Sequence, residues 1–304
     1  MQVVPQLDFE PVTRKANPEK IIRPSTTYWQ DAWRRLKKHR LAMAGLVIIS
    51  FLLVTAAVGP VLSPYSYSDQ SLMETNQPPS AKHWFGTDNL GRDLLTRVLY
   101  GARISLAIGF VTSLISLGIG VTYGAVAGFF GGRVDNVMMR IVDILYGLPF
   151  VLYVILLMVI LEPGLKTIFI ALGIVYWLNM ARIVRGEILS LKEREFILAA
   201  RVTGVGTGRI IWRHLVPNAM GPIIVTMTLV IPEAIFTEAF LSYLGLGVSA
   251  PVASWGVLAS EGYQAIRSYP WQLFFPALFI SVTMLAFNFL GDGLRDALDP
   301  RMRK

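Results

Sequence analysis

The chain has 304 residues, of which 54% are hydrophobic and only 16% charged. An ordinary soluble domain carries roughly 25% charged residues, so a water-soluble globule is excluded as the main architecture. The net charge of +8 would suit nucleic-acid binding in a soluble protein, but long charge-free stretches assign the excess to membrane topology instead, and the absence of cysteine excludes a disulfide framework, thiol chemistry and a Cys metal site.

Residues 1–25 are polar and Pro-containing and read as a tail; nothing in the first 40 residues has the apolar stretch of a cleavable signal peptide. Over Tyr28–Arg40, Trp29, Trp33 and Leu36 recur at helical spacing among Arg34, Arg35, Lys37, Lys38 and Arg40. That pattern predicts an interfacial helix, with rings at headgroup level and cations toward anionic lipid. A plain basic flank orienting the first span is the alternative. Six apolar segments then approach the roughly 20 residues that a crossing needs: Leu41–Leu62, Leu106–Phe130, Ile141–Leu161, Thr167–Ala181, Val216–Ile235 and Trp271–Leu290. The fourth is short and borrows Lys166, whose stem can snorkel to the interface. Ala239–Ser260 is also uncharged, but Gly245, Gly247, Pro251 and Gly256 break it, so it reads as a broken or re-entrant segment on the outer side. Irregular backbone at membrane depth survives only where protein or a water-filled cavity shields it.

Positive charge orients the bundle. With the N-terminus inside, the inner segments near the spans hold 18 Lys or Arg and the outer ones six. The fold class is therefore an all-α polytopic membrane protein with six spans and both ends cytoplasmic. The chain divides into a tail and interfacial helix (1–40), a first span with an outer loop (41–102), a five-helix core (103–292) containing a cytoplasmic loop over about 182–216, and a tail (293–304).

That loop carries the functional signal. Leu198-Ala199-Ala200, three residues, Gly204, and then Pro217 in register resemble the cytoplasmic signature of ABC importer permeases, in which Glu-Ala-Ala-x3-Gly is followed after nine residues by Ile-x-Leu-Pro. Three positions depart: Leu198 stands for Glu, His214 for Ile and Val216 for Leu. Ala200 and Gly204 are four apart, hence on one helical face. Small side chains there suit either entry into a groove on another protein or a close contact within this chain. Further motifs are similar to the dipeptide, oligopeptide and nickel permease family: Phe85-Gly86-Thr87-Asp88, Leu90-Gly91-Arg92-Asp93, Gly101-Ala102-Arg103-Ile104-Ser105-Leu106, His214-Leu215-Val216-Pro217-Asn218, Leu241-Ser242-Tyr243-Leu244-Gly245-Leu246-Gly247, Ser254-Trp255-Gly256, and the ending from Asn288 to Arg301. The likeness is to the C-type subunit. It implies a type I ABC importer transmembrane domain in a bacterial inner membrane, paired with a B-type permease, driven by two ATPase subunits and fed by an extracytoplasmic binding protein. It also implies an ATPase-docking role for Glu195, Leu198, Ala199, Ala200, Gly204, His214 and Pro217.

No P-loop occurs, and Gly204-Val205-Gly206-Thr207-Gly208 lacks the spacing of a nucleotide loop. ATP is therefore expected to be used by partner subunits, with no cofactor held by this chain. No pairing of nucleophile and base stands out, and His83 and His214 are isolated from other metal ligands. Asp143, three residues after Arg140, reads as a structural ion pair. Glu233 and Glu238 fall near the outer end of the fifth span and are candidates for the substrate path, meeting a peptide ammonium, or else for contacts with a partner permease or an outer-loop Arg. Arg92, Asp93 and Arg103 either dock the binding protein or tie the outer loop down. A nickel or glutathione importer of the same family is the near alternative. A secondary transporter is the distant one, and would show an inverted repeat with ion ligands at midspan; a membrane enzyme would need a catalytic set.

Overall fold

The computed structural model describes residues 27–249 and 251–299; the tail read over 1–25 and the closing residues from Pro300 onward lie outside them. Regular structure among the described residues is helical. Helix α1 (Tyr28–Lys38) opens on a capping box in which the Thr27 hydroxyl accepts from the Gln30 amide and the Gln30 side chain accepts from the Thr27 amide. His39 ends α1 and caps α2 (Arg40–Leu62) through Nδ1, which accepts from the Ala42 amide at 3.1 Å. Helix α1 and the first span are thus joined by one residue.

The second span is α3 (Leu94–Phe130), which starts twelve residues before the sequence expectation. Its 37 residues make about 55 Å of helix, against a core of roughly 30 Å, so its first turns rise above the membrane. A π-turn at Ser116–Gly120 interrupts it. The expected third span is not one helix. It is α4 (Gly132–Gly147) and α5 (Phe150–Leu161), bent by 82° at Leu148-Pro149, where the proline disfavours helical backbone in the residue before it. The fourth, α6 (Leu165–Leu191), runs ten residues past its expected end, so the first third of the "loop" 182–216 is its extension. A short helix, α7 (Glu195–Val202), follows. The fifth span is α8 (Met220–Tyr243), the segment 239–260 resolves into the end of α8, a turn and α9 (Trp255–Gln264), and the last span is α10 (Trp271–Leu298).

Glycine contacts set the directions of these helices. A Cβ on Gly120 would lie 2.6 Å from the Met180 Cβ, one on Gly124 would overlap the Ala181 carbonyl, and one on Gly128 would lie 2.9 Å from the Arg185 carbonyl. Rising numbers on α3 meet rising numbers on α6, so the two helices are parallel, and the small-xxx-small stripe lets their backbones touch. Parallel neighbours require a return crossing between them, which the bent pair α4–α5 supplies. Gly109 against Ile231, with Ser113 Oγ donating to the Met227 carbonyl at 2.8 Å, sets α8 antiparallel to α3. Gly45 against Ala286 and Gly293 against Ala42 set α10 antiparallel to α2. Six crossings follow, and the two ends meet as an even number requires: the Tyr28 hydroxyl donates to the Leu298 carbonyl at 3.1 Å.

Two carboxylates of α4 are paired with arginines of α6. Asp143 is taken by Arg182 Nη2 at 2.8 Å, not by Arg140 as the i, i+3 spacing suggests, and Arg185 grips the buried Asp135 through both nitrogens at 2.5 and 2.6 Å. Both pairs bind α4 to α6.

Candidate functional site

The cytoplasmic end is built on α6. Ile188 on α6, Ile197 and Ala200 on α7, and Ile210, Ile211 and Leu215 beyond it form one buried cluster with Val121 and Ala125 of α3. Ile197 is fully buried and Ala200 nearly so, which fixes α7 against its own chain. Of the two uses open to small residues in this segment, Ala200 takes the internal one. The opposite side of α7 is bare: Glu195, Phe196, Leu198, Ala199 and Val202 are exposed, and Trp212 half so, with Val202 at 88%. An eight-residue helix with this many exposed apolar groups is unusual on a water-facing surface.

Gly204 ends α7. Its φ of +76° is left-handed backbone. The Gly204 amide donates to the Arg201 carbonyl and the Val205 amide to the Ala200 carbonyl, both at 3.0 Å, which is the paired bonding of a Schellman turn. A side chain there would meet nothing within 4 Å, so the requirement for glycine is conformational and the surface around it is open. His214 is half-buried, and its carbonyl accepts from Asn218 Nδ2 at 2.5 Å. Pro217 lies in the short turn Val216–Asn218 just ahead of α8.

The outer end holds the second candidate. Glu238 is wholly enclosed, and its Oε1 accepts from the hydroxyls of Ser242 at 2.7 Å and Ser254 at 2.6 Å. Ser254 in turn caps α9 by accepting from the Val257 amide, Trp255 donates its backbone amide to Ser105 Oγ at 3.0 Å and its indole N–H to the Val98 carbonyl at 2.9 Å, and Gly256 lets the Glu238 carboxylate approach. Glu238 therefore fastens α9 to α8, and within this chain it meets two serine hydroxyls in place of an outer-loop Arg. Glu233 differs: its side chain is exposed, one turn from Thr237, whose hydroxyl pairs with Tyr176 at 2.7 Å.

The outer loop is tied down by the charges that sequence left undecided. Asp88 accepts from Arg92 Nε at 2.7 Å and Arg97 Nη1 at 2.5 Å, and Arg97 also reaches Glu261 of α9 at 2.7 Å. Asp93 caps α3 through the Thr96 amide at 2.8 Å and holds His83 Nδ1 at 2.9 Å, so His83 is not isolated. Lys82 beside Glu74 holds that carboxyl below the usual glutamate range. Arg103 donates to the Ala56 and Ala57 carbonyls of α2 at 2.6 and 2.7 Å. The glycine stripe on α3, the bend at Pro149 and the buried pair Asp135–Arg185 were missed by sequence reading; the four-residue spacing of Gly120, Gly124 and Gly128 was the available signal.

Residues 120–304 match the family of binding-protein-dependent transport system inner membrane components, and residues 27–79 match the N-terminal transmembrane domain of oligopeptide transport permease C. The chain is 60% identical to the dipeptide transport system permease protein DppC of Bacillus subtilis over 94% of this chain and 90% of that one. It is 55% identical to the oligopeptide transport system permease protein OppC of the same organism over 100% of both, and 46% identical to OppC of Escherichia coli K12 over 94% and 95%. Among solved structures, an inward-facing form of the MetNI methionine ABC transporter aligns with a TM-score of 0.56 at 20% identity, covering 68% of this chain and 96% of that one, which shows the shared type I importer fold. The chain thus belongs to the binding-protein-dependent transport system inner membrane components, as a C-type, multi-pass permease subunit of an ABC importer.

Proposed function

We propose that this subunit imports peptides, most directly oligopeptides, together with a B-type permease, and that ATP spent by two ATPase subunits reaches it through α7. An extracytoplasmic binding protein would deliver the cargo. The observation that carries the coupling role is the two-sidedness of α7: Ile197 and Ala200 are anchored inward while Phe196, Leu198, Ala199 and Val202 present a bare apolar strip beside Glu195. An ATPase groove would cover that strip, Gly204 would let the chain turn away closely, and His214 and Pro217 would form the base at α8. The peptide cargo is supported by the dipeptide and oligopeptide names of relatives spanning nearly the whole chain.

The test pairs the chain with candidate permease and ATPase partners. Phe196→Glu and Val202→Glu, both on the open face, are expected to abolish ATP-driven uptake of labelled peptides while membrane insertion and span packing persist. Full uptake by both variants would refute docking at α7. For the path, Glu233 is the better placed carboxylate, being exposed where Glu238 is occupied. Glu233→Gln is expected to impair uptake of peptides with free N-termini more than that of blocked ones; equal loss would refute a contact with the ammonium group.

A further inference from the structure

The sequence places Trp29, Trp33 and a run of cations in α1, and the structure sorts them by face. Ala32 and Leu36 are buried, against α8 and the end of α10, in clusters with Val225, Leu298 and Ala297. Trp29 and Trp33, four residues apart, are about half exposed. Arg34, Lys37 and Lys38, three and four apart, are exposed on the next face, and Arg40 is exposed at the start of α2. Asp31, the acidic residue of the helix, is used by Arg35 at 2.8 Å, so it does not neutralise that face. Lys37 Nζ sits 5.3 Å from the centre of the Trp33 ring, which places a cation and an indole at one level. Beyond His39, the exposed face of α2 continues as Leu41, Val47, Phe51, Val54 and Val58, an apolar stripe suited to acyl chains.

The exposed apolar stripe of α2 thus begins beside the indoles and the exposed cations of α1. Such a surface complements an anionic leaflet, where each Lys or Arg near the surface adds attraction and indoles favour the headgroup boundary. The inner face of α1 is meanwhile locked to the last span: Tyr28 bonds the Leu298 carbonyl, Gly293 admits Ala42 and Leu36, and His39 Nε2 lies 3.9 Å from Asp296. We propose that α1 is a docking site for anionic lipid headgroups of the inner leaflet, and that by holding α1 these lipids also hold the cytoplasmic end of α10. The inference rests on the membrane placement of the chain and not on its cargo.

Amide exchange of the assembled importer in nanodiscs tests it. One set contains zwitterionic phosphatidylcholine alone and the other adds phosphatidylglycerol. With the anionic lipid, amides of 29–38 and of 294–298 are expected to exchange several-fold more slowly, and raised salt should reverse much of the difference, as screening requires. The triple variant Arg34→Gln, Lys37→Gln, Lys38→Gln alters exposed side chains only and should lose the lipid response. Unchanged exchange in the α2–α10 contact around Gly45 and Ala286 would confirm that it remains folded. Equal protection in both lipids, or an undiminished response in the triple variant, overturns the proposal. Because the readout is exchange and not uptake, a failure of peptide transport leaves this result distinguishable.

Discussion

Arg103 offers a quantitative test of how this bundle satisfies its backbone. Pro60 lies inside α2 and has no amide hydrogen, so the Ala56 carbonyl four residues earlier loses its helical donor. In lipid such an acceptor has no water to fall back on. Arg103, from α3, supplies the missing donor through Nε at 2.6 Å and a second bond to the Ala57 carbonyl at 2.7 Å. Arg103→Met keeps most of the stem and removes both donors, leaving at least one carbonyl orphaned at about 1–3 kcal/mol. Pro60→Ala restores an amide at the position that serves Ala56. In that background Arg103→Met is expected to cost about 1 kcal/mol less, an interaction energy within the range seen for groups sharing a partner. The four proteins of the cycle can be purified in one detergent and compared by thermal unfolding midpoint. Strictly additive shifts would refute the assignment of Arg103 as the surrogate donor for Ala56.

Three further outcomes follow from local geometry. Gly204→Ala should cost about 1–2 kcal/mol because φ is +76°, whereas Gly204→Asn should cost less; limited proteolysis after α7 should rise for the alanine variant first, and equal cleavage would count against the left-handed cap. Gly124→Ala must displace the Ala181 backbone, an overpacking cost of about 1–3 kcal/mol, while the Cβ of Gly118→Ala has nothing within 4 Å to strike; the unfolding midpoint should fall for the first variant and hold for the second. Glu238→Gln retains an acceptor for Ser242 and Ser254, but Glu238→Ala orphans both hydroxyls and opens a void, about 2–4 kcal/mol in all; exchange of α9 amides should quicken in the alanine variant alone.

The number and order of the crossings were legible in the sequence because lipid forces an apolar stretch wherever a helix crosses, and Leu41–Leu62 or Trp271–Leu290 contain little else. Helix ends were less legible. Arg97 and Arg103 look like loop residues by charge, yet α3 carries them, because Asp88, Glu261 and the α2 carbonyls neutralise or occupy them. Likewise α6 continues past Arg182 and Arg185, whose partners Asp143 and Asp135 sit on another helix and cannot be paired from spacing. The break at Gly147-Leu148-Pro149 was written in the sequence as a proline, but the apolar run around it masked the 82° turn. In the cytoplasmic segment, Gly204 and Pro217 stood out by register. Which face of α7 points inward did not, since Ile197 and Leu198 are equally apolar and only the packing on Ile188, Ile210 and Leu215 separates them.

That separation bears on how force would cross the membrane. α6 is a continuous helix of 27 residues, about 40 Å long, from the outer surface to the turn before α7. Only Lys192, Glu193 and Arg194 intervene, Lys192 Nζ is fixed on the Gly128 carbonyl at 3.1 Å, and Ile188 and Ile197 share one buried cluster with the turn leading into α8. On the proposed docking role, a load applied to the bare face of α7 would reach two spans together, down α6 by the short turn and into α8 through Ile210, Ile211 and Leu215. The glycine stripe would then pass it from α6 to α3 at three successive turns, where the two helices pack closely. A floppy loop would dissipate such a displacement over its own dihedrals. Ile197→Ala, which loosens α7 from α6 but leaves its outer strip intact, should on this reasoning preserve ATPase association while lowering uptake per ATP hydrolysed. Unaltered coupling in that variant would mean that α7 moves these spans by some route other than its packed core.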